Sequence, residues 1–141
     1  MTEVIRDIAA EFASAFAFAR RRWAGHAAQV HPELNGAGLM VLQQVTRCGR
    51  LSATEIGQHL DMDKATISRQ VAKLRELGLV DVSPSAADKR VQMIALSEAG
   101  VAAITELRER MASDYQKRLA GWSDADLATL HTLLHRFNSD N

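Results

Sequence analysis

Residues 61–100 read DMDKATISRQVAKLRELGLVDVSPSAADKRVQMIALSEAG, and the order of patterns within them decides the fold. Asp63 stands where a helix N-cap belongs. Ile67, Val71 and Leu74 follow at spacings of three and four, one stripe of a helix that Gly78 should end as its C′ residue. Beyond Gly78 the texture changes. Leu79–Ser83 and Val91–Leu96 are short and rich in β-formers, and the polar run Pro84–Arg90 between them predicts a β-hairpin. Upstream, Ser52 and Glu55 have the spacing of a capping box, which predicts a short helix with Ile56 and Leu60 inward. Asp61-Met62-Asp63 then turns the chain into the next helix. Two short helices joined by a tight turn and followed at once by a hairpin predict a winged helix-turn-helix.

Outside this stretch the chain is helical in pattern. Val4, Ile5, Ile8, Phe12, Ala15, Phe16, Ala19 and Trp23 form the stripe of a long first helix, broken by His31-Pro32 and Asn35-Gly36. A second helix runs through Leu39, Met40, Leu42 and Val45 towards Gly49. Ser97 with Glu98 should cap a long helix carrying Val101, Ile104, Leu107, Met111, Tyr115 and Leu119. Ser123 should cap a last one with Leu127, Leu130, Leu133, Leu134 and Phe137. The expected fold is mainly α with a small β-hairpin wing, a single domain over residues 1–141. Residues of about 35–96 form the winged helix-turn-helix, and those of about 1–34 and 97–141 form dimerisation helices. The terminal helices carry more apolar surface than one small winged domain covers, so a symmetric homodimer is expected.

The bulk numbers exclude more than they select. The chain is 47% hydrophobic and 24% charged, ordinary for a globular protein, and its two prolines leave long helices unbroken. No apolar run reaches membrane-spanning length, the N-terminus lacks a signal peptide's order, and Cys48 is the single cysteine, so a cytoplasmic protein without a membrane partner is expected. No nucleophile–base pair, P-loop or dinucleotide fingerprint is present. The chain is therefore expected not to be an enzyme and to need no cofactor. Cys48 reads as a small packing residue, with redox sensing as the alternative. His131 and His135, spaced i, i+4, read as solvated or interfacial, because no third ligand is placed to complete a metal site. Trp23 and Trp122 read as packing residues.

On the helix after Asp63, Ala65, Ser68, Arg69 and Ala72 point outward when Ile67 points inward, with Thr66 and Lys73 to one side. Small side chains at 65, 68 and 72 would let the backbone approach a DNA groove closely. Arg69 offers a planar fork suited to guanine or phosphate, and Thr66 and Ser68 can serve phosphates or base edges. Lys64 and the helix's first amides add positive potential at the groove entry. The expected partner is double-stranded DNA. From Arg50 to Gln92 seven basic residues face six acidic ones, one net positive charge, so non-specific affinity should be modest and salt-dependent. A winged helix that docks proteins is the alternative.

DMDKATISRQVAKLRELGLV followed by DKRVQMIALSEAG resembles the MarR family of bacterial winged-helix regulators. The family's hallmark is Asp-x-Arg, five residues, then Leu-Thr/Ser-x-x-Gly, and Asp88, Arg90, Leu96, Ser97 and Gly100 stand at that spacing. The resemblance extends over nearly the whole chain. This wing is less basic than many in the family, and Ser97 replaces the commoner Thr while preserving the cap. The resemblance implies a homodimeric transcription regulator, a repressor on a palindromic operator, with an activator or architectural protein as the alternative. It implies that Lys89 and Arg90 contact DNA from the wing, Arg90 in the minor groove, with Asp88 holding that guanidinium through a bidentate pair. An effector cleft is expected where Phe16, Trp23 and Met40 meet the long helix near Met111. Arg20 or Arg21 at its mouth would suit a small aromatic anion.

Overall fold

The computed structural model describes residues 2–139. Its elements run α1 (Thr2–Val30), α2 (Gly36–Cys48), β1 (Leu51–Ser52), α3 (Ala53–Leu60), α4 (Lys64–Glu76), β2 (Val80–Pro84), β3 (Gln92–Leu96), α5 (Glu98–Arg118) and α6 (Asp124–Ser139). The chain forms two compact units, one ending at Met111 and the other beginning at Ala112.

In the first unit, side-chain caps set the helix boundaries. Asn35 Oδ1 accepts from the Gly38 amide at 2.8 Å and opens α2. Ser52 and Glu55 form both halves of the expected capping box on α3. Asp61 ends α3 with φ of 51°, a left-handed conformation that a short polar side chain tolerates. Asp63 then caps α4, so the turn of the helix-turn-helix is built from two aspartates with opposite roles. Gly78, with φ of 75°, releases the chain from α4 into the hairpin.

The sheet has three strands in the order β1-β3-β2, all neighbours antiparallel. The sequence predicts only β2 and β3. Leu51 and Ser52 pair with Ile94 and Met93 as an added edge. Central β3 sends Ile94 into the core beside Leu42, Ile56, Ile67, Leu74 and Leu107, which are among the largest fully buried side chains. One core thus fixes α4 and the wing together. Burying a side chain of this size contributes roughly 1.5–3 kcal/mol.

The hinge between wing and α5 is tight. The Ser97 amide donates to the Leu79 carbonyl at 3.1 Å, while its hydroxyl donates to the Gly78 carbonyl at 2.5 Å and accepts from the Gly100 amide at 3.0 Å. A Cβ at Gly100 would collide with the Leu79 carbonyl oxygen. Glycine is required there because backbone meets backbone.

On α1, Ala27 is the one buried residue, while Val4, Ile5, Ile8 and Phe16 are exposed. In the second unit Ser123 Oγ accepts from the Asp126 amide at 3.1 Å and caps α6. Leu133, Leu134 and Phe137 on α6 are exposed, as is Trp122. No helix among the described residues is long and apolar enough to cross a membrane.

Candidate nucleic-acid interface

Helix α4 presents Lys64, Ala65, Ser68, Arg69 and Ala72 to solvent, as its spacing predicts, with Thr66 half-buried. Its first two turns are internally bonded. Asp63 Oδ1 accepts from the Thr66 amide at 2.7 Å and Oδ2 accepts from the Thr66 hydroxyl at 2.9 Å. Arg69 Nη2 in turn donates to Thr66 Oγ1 at 3.3 Å. The amide and hydroxyl of Thr66 hold the Asp63 carboxyl below the usual carboxylate range, with the Arg69 charge adding to them.

Lys73 is occupied elsewhere. Its ammonium bonds to Glu33 Oε1 at 2.9 Å, joining α4 to the loop between α1 and α2. The pair holds the Glu33 carboxyl down and the Lys73 ammonium up from their ordinary values. Of the predicted α4 residues, Lys73 is the one whose charge is already neutralised within the fold.

The wing loop is closed by its own backbone and by Ser85. The Ser85 amide donates to the Val91 carbonyl at 2.8 Å and the Val91 amide to the Asp88 carbonyl at 3.0 Å. At the tip Asp88 Oδ1 accepts from the amide and Nε of Arg90, and Oδ2 from Nη2, all at 3.1 Å. The bidentate pair is present. These bonds, the guanidinium's first, hold the Asp88 carboxyl below its ordinary range. The Arg90 side chain is nonetheless 91% exposed, so most of its donors face outward. Lys89 beside it is exposed.

Ser68, Ala72 and Arg75 of α4 face Val82 and Gln92 of the wing across an open cleft of about 570 Å³, floored by Val71 and Ile94. No sequence pattern marks Arg75 and Gln92, because only the packed hairpin brings them beside the α4 face. Nor does any pattern mark Arg50, whose Nη2 donates to Ser83 Oγ at 2.7 Å and so places a further cation on the wing sheet.

Trp23 and Met40 do share a cleft, of about 400 Å³, whose cations are Arg47 and Arg108 and whose amides are Gln43 and Gln44. The other residues expected there lie elsewhere. Phe16, Arg20 and Arg21 are exposed on α1, Arg21 lining a separate depression with Phe18 and Arg22, and Met111 is buried in the core. Cys48 is exposed at the end of α2 rather than packed, and Gln44 Nε2 approaches its sulfur at 3.4 Å. His131 and His135 are exposed on α6 with rings stacked at 6.2 Å. Among the described residues no group of three or more metal-ligating side chains forms.

A helix-turn-helix whose second helix and hairpin flank one groove is a winged-helix protein. Residues 34–91 match the MarR family model, and the chain is similar to that family. It is 31% identical over 94 residues to the transcriptional repressor IacR of Pseudomonas putida, an alignment covering 67% of this chain and 56% of that protein. The chain thus spans little more than half the length of that relative. Among solved structures, RV1404 from Mycobacterium tuberculosis is 21% identical with a TM-score of 0.79, covering 99% of this chain and 93% of that one. A mutant of MarR from E. coli complexed with operator DNA is 19% identical with a TM-score of 0.68, covering 97% of each chain.

Proposed function

We propose that this chain is a sequence-specific transcriptional regulator that binds double-stranded DNA as a homodimer on a palindromic operator and acts as a repressor. One observation carries the proposal: Arg90 is pinned by Asp88 at the tip of a closed wing, on the same fold that presents the exposed face of α4. An arginine kept outward yet fixed in orientation suits a narrow groove more than a solvated loop does. The structure of the MarR relative with operator DNA and the repressor name of the Pseudomonas relative support the same conclusion. The exposed apolar residues of α1 and α6 supply the dimer contact, which would set the two α4 helices about 34–36 Å apart on DNA. Repression is steric, by occupation of the promoter. The cleft at Trp23 and Met40 takes a small aromatic anion, its ring on the apolar wall and its carboxylate on Arg47 or Arg108. Release of DNA requires tighter ligand binding to the wrongly spaced dimer, and a tenfold loss needs about 1.4 kcal/mol of that preference.

Gel-shift titration over a range of salt, with light scattering for the dimer, tests the core of this function. A monomer, or a dimer that binds every duplex equally, contradicts it. Thermal shifts and operator release with benzoate and larger aromatic acids, compared with the Arg108→Ala variant, test the switch. In vitro transcription separates a repressor from an activator. The near balance of charge around the wing favours a protein-docking module instead, and absence of DNA binding even at low salt would select it.

A further inference from the structure

The Thr66 hydroxyl has its bonds committed before any DNA arrives. An ionised carboxylate only accepts hydrogen bonds, so at 2.9 Å from Asp63 Oδ2 the hydroxyl is the donor. Its single proton is then spent, and the bond to Arg69 Nη2 uses an oxygen lone pair. Thr66 therefore has no proton left for a phosphate or a base. The three residues stand at i, i+3 and i+6, each a neighbour of the next along the start of α4.

Capping alone does not explain an aspartate here. Serine and asparagine cap as well, whereas both carboxylate oxygens of Asp63 are needed to hold the Thr66 amide and hydroxyl at once. Nor does attraction to DNA explain it, since the acid offsets a cation at the helix entry. We propose that Asp63 and Thr66 are positioning residues that orient the Arg69 guanidinium through a relay, so that base preference, more than total affinity, depends on them. A tethered arginine has lost part of its side-chain freedom on folding and loses less on docking to one base edge. Its remaining donors then point one way. This inference rests on α4 being the DNA-reading helix.

The test is selection from a library of randomised duplexes with the full chain, followed by competition binding on the recovered site and its single-base variants. Arg69→Ala should flatten the preference at one position per half-site. Thr66→Val, which keeps the shape and removes the hydroxyl, should cut discrimination at that same position about tenfold, within the range of one good base contact. Asp63→Ser, which keeps a cap, should do likewise, and both variants should stay folded and bind a scrambled duplex no more weakly than wild type. Thr66→Ser should restore discrimination. Wild-type discrimination at that position in both Thr66→Val and Asp63→Ser would overturn the relay. A wild-type chain that enriches no sequence would overturn the DNA-reading function, and the relay with it, so the two failures are told apart.

Discussion

The Asp88 carboxylate grips the Arg90 guanidinium at two points, Nε on Oδ1 and Nη2 on Oδ2, each at 3.1 Å. The same oxygen Oδ1 also accepts from the Arg90 amide, so the acid fixes backbone and side chain together. Such a pair is cheap to form on an exposed loop and contributes little to stability. Its consequence is orientation.

Wing coupling follows from that geometry. Arg90→Ala should weaken operator binding by about 1–3 kcal/mol, as for a good groove contact. Asp88→Ala should lose a substantial part of the same energy although it removes a negative charge. Operator titrations at fixed salt compare the two, and tighter binding by Asp88→Ala would sink the coupling.

Lys73 gives a prediction of opposite sign. Its ammonium is neutralised by Glu33, so the pair presents no net charge to a phosphate. Glu33→Gln should free the lysine, tighten binding to all duplexes alike and steepen the salt slope by about 0.9 for one added phosphate contact. Unchanged affinity and slope in Glu33→Gln would show that Lys73 lies out of reach of DNA.

The helical caps and the presence of the hairpin were legible in the sequence because their signals are local: Ser52 with Glu55, Asp63, Gly78 and Ser97 each act on a helix end within a few residues. What was illegible depends on distance along the chain. Leu51 and Ser52 are too short to show a strand pattern and become β1 only because Ile94 and Met93 lie beside them. A helical wheel gives the direction of Lys73 but not the position of Glu33, forty residues upstream by sequence number. The sequence points to Arg20 and Arg21 of α1 as the cleft cations, whereas packing turns Arg47 of α2 and Arg108 of α5 to Trp23. The relay from Asp63 to Arg69 was half visible: the cap was legible, the third partner was not.

Acid should loosen the start of α4. The Asp63 carboxyl is held below its ordinary 3.8 in the fold, so its stabilisation is fully present above that value and is lost as pH falls through the lower folded value. Asp63→Asn keeps a capping oxygen and does not titrate. Thermal midpoints measured downward from pH 7 should fall less steeply below about pH 4 in Asp63→Asn than in wild type. Parallel curves would show that Asp63 is not linked to folding.

Gly100 should tolerate no side chain. Its Cβ position falls on the Leu79 carbonyl oxygen, and neither backbone can swing aside without disturbing the Ser97 cap. Gly100→Ala should cost at least the 1–3 kcal/mol of an overpacked core, roughly, read as a lowered midpoint in urea. A midpoint equal to wild type would contradict this close approach.

The most direct measurement is fluorescence anisotropy of the full chain on a duplex carrying its selected site and on a scrambled duplex of equal length, over a range of salt. The selected site should bind on the order of a thousandfold more tightly or better, with both affinities falling linearly on a logarithmic salt axis. Arg69→Ala and Arg90→Ala should each erode that ratio, weakening the selected site more than the scrambled duplex. Equal binding of the two duplexes by wild type, or an intact ratio in both variants, would contradict recognition by α4 and the wing.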